Sequence, residues 1–149
     1  MSTDAVSPFQ NSWLFWALLS AAFAALTAIF AKVGVENIDS DLATFIRTVI
    51  VLMSLALILL AAGKFSSAEP IAPRTWLFLT LSGLATGASW LCYFRALKLG
   101  PATLVAPIDK LSVVLVAVIG VTLLGEHLSA RGWVGIALIG AGAVLVALA

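Results

Sequence analysis

Charged residues are scarce in this sequence, and their scarcity excludes a soluble domain. Asp, Glu, Lys and Arg together make up 10% of the 149 residues, whereas soluble domains carry about 25%. Hydrophobic residues make up 62% of the chain. The net charge of +1 leaves no basic patch for nucleic acid, so we expect no nucleic-acid partner. The composition predicts an integral membrane protein.

Cysteine and catalytic motifs are also lacking. Cys92 is the single cysteine and can close no disulfide within the chain. The sequence contains no HExxH, CxxC, nucleophile-elbow or phosphate-loop motif, and each of these motifs is typical of an enzyme or a metal site. We therefore expect no enzyme activity, no catalytic residue, no metal site and no cofactor.

Apolar runs long enough to cross a bilayer of about 30 Å, at about 1.5 Å per residue, occur five times. The predicted spans cover residues 13–33, 42–62, 76–97, 103–124 and 132–149. Residues 1–12 are predicted to form a short polar tail without the basic region of a secretory signal. Residues 13–149 are predicted to form one all-α domain, a bundle of five transmembrane helices.

The short connections make neighbouring helices antiparallel, so each loop can be assigned to one side of the membrane. Side A holds the N-terminus and the second and fourth loops, and side B holds the other loops and the C-terminus. Four tryptophans begin helices on side A, as in an aromatic belt: Trp13, Trp16, Trp76 and Trp133. Trp90 is the exception, because it lies about 21 Å from side A by helical rise.

Charged residues within the spans collect towards side B. Arg47 lies roughly 7 to 8 Å inside the second span, and the pair Asp109 and Lys110 lies about 9 to 10 Å inside the fourth. Arg95 ends the third span on the same side. Together with two aromatic residues of the third span, they form the predicted site for substrate binding and translocation: Arg47, Trp90, Tyr93, Arg95, Asp109 and Lys110.

Each of these residues also has a structural interpretation. The two arginines lie close enough to the interface for their side chains to snorkel to water, and the two aromatic residues suit a helix core. Small residues elsewhere predict close helix packing. They form a GxxxG in the third span and stripes in the first and last spans: Gly83, Gly87, Ala17, Ala21, Ala24, Ala28, Gly135 and Gly142.

The adjacent acid and base in "VAPIDKLSVV" are the hardest charges to explain as surface groups. A charge at the bilayer centre costs about 2.5 to 3.5 kcal/mol, so we expect Asp109 to face the bundle interior. Successive helix positions point about 100° apart, which predicts that Asp109 pairs with Arg47 or Arg95 and not with Lys110. Pro107 lacks an N–H, so it can kink the helix and free a carbonyl near residue 103.

The stretch "RALKLGPATLVAPIDK" and the hairpin "GEHLS" resemble the end of an EamA-type domain of the drug/metabolite transporter superfamily. The shared features are the Gly-Pro turn, the early proline of the fourth span, the hairpin with its glycine and glutamate, and the glycine-rich last helix. The stretches "ALLSAAFAALTAIFAKVGV" and "LSGLATGASWLCYFRALKLGPA" resemble earlier helices of the same domain. The resemblance extends from about Trp13 to the end of the chain.

This resemblance implies a secondary transporter or exporter of small metabolites in the plasma membrane, which in bacteria is the inner membrane. Larger members of the superfamily join two such domains, so this chain corresponds to one half of a ten-helix inverted-repeat fold. An odd number of spans ends on the far side of the membrane, so a lone unit reproduces that fold only as an antiparallel dimer. We expect a homodimer, with an antiparallel arrangement as one hypothesis, and membrane lipid and a small-molecule substrate as the other partners.

Two other functions stay open at this stage. The chain could be a non-transporting assembly subunit, in which Asp109 and Lys110 hold helices together. It could also be a flippase-like subunit for a lipid-linked amphiphile, with the charged residues near side B holding a phosphate. The first helix lacks the acidic residue that small multidrug proton antiporters use, which argues against multidrug export by that mechanism.

Overall fold

Six helices form the regular structure in the computed structural model, which describes residues 12–65 and 71–149. They are α1 (Trp13–Val35), α2 (Ser40–Ala61), α3 (Pro73–Leu99), α4 (Ala102–Asp109), α5 (Ser112–Leu123) and α6 (Ala130–Ala147). Helices α4 and α5 share one span, so the described residues contain five spans long and apolar enough to cross a membrane. The predicted all-α bundle of five spans is confirmed. The predicted polar tail lies outside the described residues except for Ser12.

Capping explains where several helices begin. The Asp39 carboxylate accepts hydrogen bonds from two N–H groups in the first turn of α2, both at 3.0 Å, and Ser129 accepts one from the Gly132 N–H at 3.2 Å. Helix α3 begins at Pro73. Proline suits the first position of a helix, because the N–H that it lacks would have no partner there. Because of these residues, α2 and α3 begin slightly earlier than the apolar runs predict.

The fourth span is broken beside the acid and base. Helix α4 ends at Asp109 and α5 begins at Ser112, and the Lys110 N–H bonds to the Pro107 carbonyl at 3.1 Å. A hydrogen bond between residues three positions apart is typical of a 3₁₀ turn, which is tighter than a turn of α-helix. Helix α4 runs through Pro107, and the span is interrupted after it, at Lys110 and Leu111. Pro107 removes one hydrogen bond from the first turn of α4, and the remaining bonds carry the helix past it.

The helices pack most tightly at side B. Helices α1, α2 and α3 contact one another, α4 contacts α1 and α3, and α6 contacts α4 and α5. A buried cluster joins the side-B ends of α1, α2 and α3: Ala31, Val35, Ala43, Phe94 and Leu97. Since Val35 and Leu97 have no exposed surface, this cluster closes the side-B end of the bundle.

Most large apolar side chains point outward from the bundle. In the most apolar stretch of each span, only 6–11% of the residues are buried inside the chain. Helices satisfy their own backbone hydrogen bonds, so such surfaces are stable against hydrocarbon. Lipid, or another protein surface within the membrane, must therefore cover most of this chain.

The predicted packing on small residues is largely wrong within the single chain. Four glycines have open space where a Cβ would lie, with no atom within 4 Å: Gly83, Gly87, Gly135 and Gly142. Of the alanine stripe in α1, only Ala28 is buried, and its partners line a cavity between α1 and α4. Sequence spacing identified the small stripes, but it did not show whether another helix lies over them.

Two glycines in the α5–α6 region are instead covered by side chains of the connecting hairpin. Gly125 has a φ of +69°, a conformation that favours glycine. The Glu126 carboxylate then lies over Gly120, where a Cβ would be 2.7 Å from its oxygen, and Leu128 lies over Gly132, where a Cβ would be 2.6 Å from a methyl carbon. Local packing of side chains onto glycine accounts for this hairpin.

Candidate functional site

A cavity of about 360 Å³ lies between α1, α2, α3 and the break after α4, and we call it the polar cavity. Its volume falls in the range of small-molecule sites, about 300 to 1,000 Å³. Its walls combine charged groups, hydroxyl groups and aromatic rings. The residues that line it are Ser20, Phe23, Ala24, Thr27, Arg47, Ser89, Trp90, Tyr93, Phe94, Asp109 and Lys110.

The structure brings five of the six predicted site residues together in this cavity, all except Arg95. Trp90 and Tyr93 come from one face of α3, because they are three positions apart on a helix. Arg47 enters from α2, and the acid and base enter from the break after α4. The cavity therefore depends on the packing of helices that are distant in sequence.

Arg47 rests on aromatic rings in the polar cavity. Its guanidinium carbon Cζ lies 4.1 Å from the centre of the Trp90 ring and 5.6 Å from the centre of the Phe94 ring. Such contacts stabilise a cation by about 0.5 to 1 kcal/mol at exposed sites and about 2 kcal/mol when water is excluded. In the described residues Arg47 has no carboxylate partner. The rings therefore provide its main stabilising contact.

Asp109 pairs with its own neighbour. The Lys110 ammonium Nζ lies 3.1 Å from the Asp109 carboxylate, so the prediction that Asp109 pairs with Arg47 or Arg95 is wrong. The 100° separation of neighbouring side chains holds for a continuous helix, and α4 ends at Asp109. At this break the long Lys110 side chain can turn back to the carboxylate, and both residues line the polar cavity.

Arg95 lies outside the polar cavity and joins two helices at side B. Its Nη2 is 2.8 Å from one Asp41 oxygen and 2.9 Å from the other, which ties α3 to the first turn of α2. The side chains of Arg95 and Asp41 are 62% and 49% exposed. Exposed ion pairs contribute about 0 to 1 kcal/mol. Arg95 thus has a helix-joining contact, in agreement with the structural interpretation of this residue.

Two lysines extend this contact. Lys32 of α1 donates hydrogen bonds to the Leu97 carbonyl at 2.7 Å and the Gly100 carbonyl at 3.0 Å, and Lys98 donates to the Ile38 carbonyl. A basic group suits the position of Lys32, since carbonyls at a helix C-terminus lack helical partners and carry partial negative charge, while Lys98 ties the end of α3 to the loop before α2. We call the four charged residues the side-B clamp: Lys32, Asp41, Arg95 and Lys98.

The contribution of α1 to the polar cavity was not predicted. The alanine stripe of α1 predicts a packing helix, yet Ser20, Phe23, Ala24 and Thr27 line the cavity. The signal was present, because Ser20, Ala24 and Thr27 are four and three positions apart and share one helix face. The two hydroxyl groups on an otherwise apolar helix distinguish this face from the other faces of α1.

Comparisons with known proteins identify the family of this chain. The model of the EamA-like transporter family matches residues 11–148. The chain belongs to this family. A protein of Sinorhizobium sp. named "Uncharacterized transporter in cobO 3'region" is 64% identical over 138 residues, which cover 93% of this chain and 98% of that protein. No solved structure matches the chain.

Membership confirms the family predicted from the sequence. The five apolar spans fit one half of the ten-helix transporter fold, and the chain is a multi-pass membrane protein of the EamA-like transporter family. The family and the named relative both point to a transporter rather than an enzyme.

Proposed function

We propose that this chain is a secondary transporter or exporter of small metabolites in the plasma membrane, which in bacteria is the inner membrane. The observation that carries the proposal is the polar cavity, which places Arg47, Asp109 and Lys110 among aromatic rings inside an apolar bundle. Charged residues inside a membrane domain are costly and usually face a wet cavity or a translocation route. Membership in the EamA-like transporter family supports the same activity.

The packing of the bundle fits one state of an alternating-access cycle. The buried cluster lies closer to side B than the polar cavity does, because Val35 follows Thr27 along α1 and Ala43 precedes Arg47 along α2. The side-B clamp then fastens the ends of α1, α2 and α3. The solute route to side B requires both of these contacts to open.

The proposal includes a homodimer. A single chain provides one half of the ten-helix fold, and it buries few residues of its own spans. The relative from Sinorhizobium supports this arrangement, since the match covers 98% of that protein and leaves no length for a second such unit. Five spans per unit favour antiparallel subunits, as in inverted-repeat transporters.

Two measurements test the dimer. Cross-linking in native membranes, followed by denaturing gel electrophoresis, is expected to give a species of twice the monomer mass. A C-terminal tag is expected to be accessible to protease from both membrane faces if the subunits are antiparallel. Accessibility from one face only would contradict the antiparallel arrangement, and absence of the cross-linked species at full cross-linker reactivity would contradict the dimer.

Transport itself is tested with purified protein in liposomes. Vesicles are incubated with a mixture of small metabolites, washed, and their contents measured by mass spectrometry. We expect at least one metabolite to accumulate above the level in protein-free vesicles, and Asp109→Asn to reduce that uptake at least tenfold without loss of helical circular dichroism. Glu36→Gln is the matched control, because Glu36 lies after α1, outside the cavity and the clamp.

The same variants distinguish a transporter from a non-transporting assembly subunit. If Asp109 only holds helices together, Asp109→Asn lowers the thermal stability of the protein and leaves uptake per folded molecule unchanged. That outcome would remove Asp109 from the transport site. Uptake that never exceeds the level in protein-free vesicles, over a broad set of metabolites and in both directions, would contradict the transport proposal.

A further inference from the structure

Arg47 is the one charged group in the polar cavity that lacks an oppositely charged partner in the described residues. The cavity is lined by two cations and one carboxylate. The carboxylate of Asp109 is already paired with Lys110 at 3.1 Å. Asp41, at the side-B end of α2, lies outside the cavity and is paired with Arg95 at 2.8 Å. The lining therefore has one uncompensated positive charge.

The aromatic contacts of Arg47 do not replace a counter-charge. A π face attracts the guanidinium but leaves its five N–H donors without the oxygen acceptors that they bind best. In the described chain no oxygen accepts a hydrogen bond from Arg47, which is half-buried within the span of α2. A planar guanidinium that is fixed by a ring and has free donors is suited to bind a carboxylate or a phosphate through two parallel hydrogen bonds.

We propose that the polar cavity binds a small organic anion whose carboxylate or phosphate pairs with Arg47. The inference rests on the proposed function and names the substrate class of the same cavity. Ser20, Thr27 and Ser89 line the same cavity as Arg47, and their hydroxyl groups are donors suited to such an anion. The net charge of the lining disfavours organic cations, since a second positive charge would meet Arg47 without a free carboxylate to balance it.

The same chemistry could come from a soluble metabolite or from the headgroup of an anionic lipid. We assign the cavity to the soluble metabolite, because its lining carries hydroxyl and charged groups from four helices and its volume of about 360 Å³ suits a small molecule. A lipid headgroup at Arg47 is the alternative source. The experiment is therefore done in membranes of two lipid compositions.

The test is calorimetric titration of the purified protein in nanodiscs of neutral phosphatidylcholine. The probes are pyruvate, benzoate and glycerol 3-phosphate as anions, tetramethylammonium as a cation and glucose as a neutral solute. We expect at least one anion to bind, Arg47→Gln to weaken that binding at least tenfold, and Arg47→Lys to weaken it less. Arg74→Gln is the matched control, because Arg74 also lies over an aromatic ring, Phe78 at 5.8 Å, but outside the cavity.

The outcomes separate the anion site from transport. Equal binding of the anions to wild type and Arg47→Gln, or binding of tetramethylammonium alone, would overturn the inference. If phosphatidylglycerol in the nanodiscs abolishes anion binding to the wild type, a lipid headgroup occupies Arg47 and the soluble-substrate assignment fails. Uptake of a cation or neutral solute that Arg47→Gln leaves unchanged would overturn the anion site and retain transport. Anion binding without any uptake would retain the anion site and overturn transport.

Discussion

Arg47 rests on Trp90 and Phe94 inside a membrane span, with its Cζ 4.1 Å and 5.6 Å from the two ring centres. The two aromatic residues are four positions apart on α3 and therefore share a face. This arrangement leaves the N–H donors of Arg47 available to the cavity, which a salt bridge to Asp109 would not. At the scale of single residues, this aromatic contact is the basis of the anion site that we propose.

Substitution of glycine by alanine is expected to have different effects at two positions of α6. Gly132→Ala places a Cβ 2.6 to 2.7 Å from carbons of Leu128, so the hairpin must shift, and we expect a loss of about 1 to 3 kcal/mol in the free energy of unfolding. Gly135→Ala meets no atom within 4 Å and gains helix propensity, so we expect no loss. Unfolding titrations in mixed micelles measure both, and equal destabilisation by the two variants would contradict the packing of Leu128 on Gly132.

Asp39 makes the start of α2 sensitive to acid. Hydrogen bonds from the Leu42 and Asp41 N–H groups, the first of these most strongly, hold the pKa of Asp39 below its usual 3.8. A lowered pKa in the folded state means that the carboxylate stabilises the fold above pH 3.8 and loses this effect as the pH falls through the lowered value. We expect Asp39→Asn, which retains a capping oxygen, to remove part of the stability loss that the wild type shows as the pH falls below 3.8.

Thermal unfolding in detergent between pH 7 and pH 2 measures this effect. The wild type and Asp39→Asn are compared at each pH, and Asp39→Ala shows the loss of the cap itself at neutral pH. Identical pH dependence of the wild type and Asp39→Asn would show that the cap does not contribute to acid sensitivity.

At the scale of helices, the side-B clamp predicts an order of stabilities. Lys32→Met removes both donors that satisfy the carbonyls of Leu97 and Gly100, and Leu97 is fully buried. Leaving a buried carbonyl without a partner costs about 1 to 3 kcal/mol. Asp41→Asn breaks an exposed pair, which contributes about 0 to 1 kcal/mol. We therefore expect Lys32→Met to lower the free energy of unfolding more than Asp41→Asn, and the reverse order would contradict this account of the clamp.

The sequence predicts the helices well because their lengths follow from the bilayer. Apolar runs bounded by Gly-Pro and capping residues identify all five spans, and the ends differ from the structure by a few residues. The break after Asp109 was not predicted, because Pro107 is the visible helix breaker and the turn lies beyond it. The loss of regular helix at Lys110 depends on local bonds that no residue pattern indicates.

The sequence predicts how deep the site residues lie in the membrane, but it does not predict which side chains pair with each other. Helical rise places Arg47, Arg95 and Asp109 at similar depths, and two of them do line the cavity. Rise does not give the direction of each side chain around its helix. Arg95 turns to Asp41, a residue at the start of α2, and Asp109 turns to Lys110. Such choices follow from packing between helices, which a single sequence does not specify.

At the scale of the whole molecule, the bundle is a half-structure with a closed end and exposed sides. The buried cluster and the clamp close side B, while most large apolar side chains of the spans remain exposed within the chain. The polar cavity lies between these regions. In our account a second copy completes the walls of the transporter, and solute passes through the space beside Arg47.

The most direct test is whether a chemical group attached inside the polar cavity stops transport. Ser89 lines the cavity, so Ser89→Cys is made in a Cys92→Ser background and treated with an anionic, membrane-impermeant thiol reagent. Arg131→Cys, at the exposed start of α6, is the control in the same background. The solute is the one that wild type carries in liposomes. We predict that complete modification at residue 89 reduces its flux at least tenfold, while modification at residue 131 leaves the flux unchanged. Unchanged flux after complete modification of residue 89, verified by mass spectrometry, would contradict a solute route through this cavity.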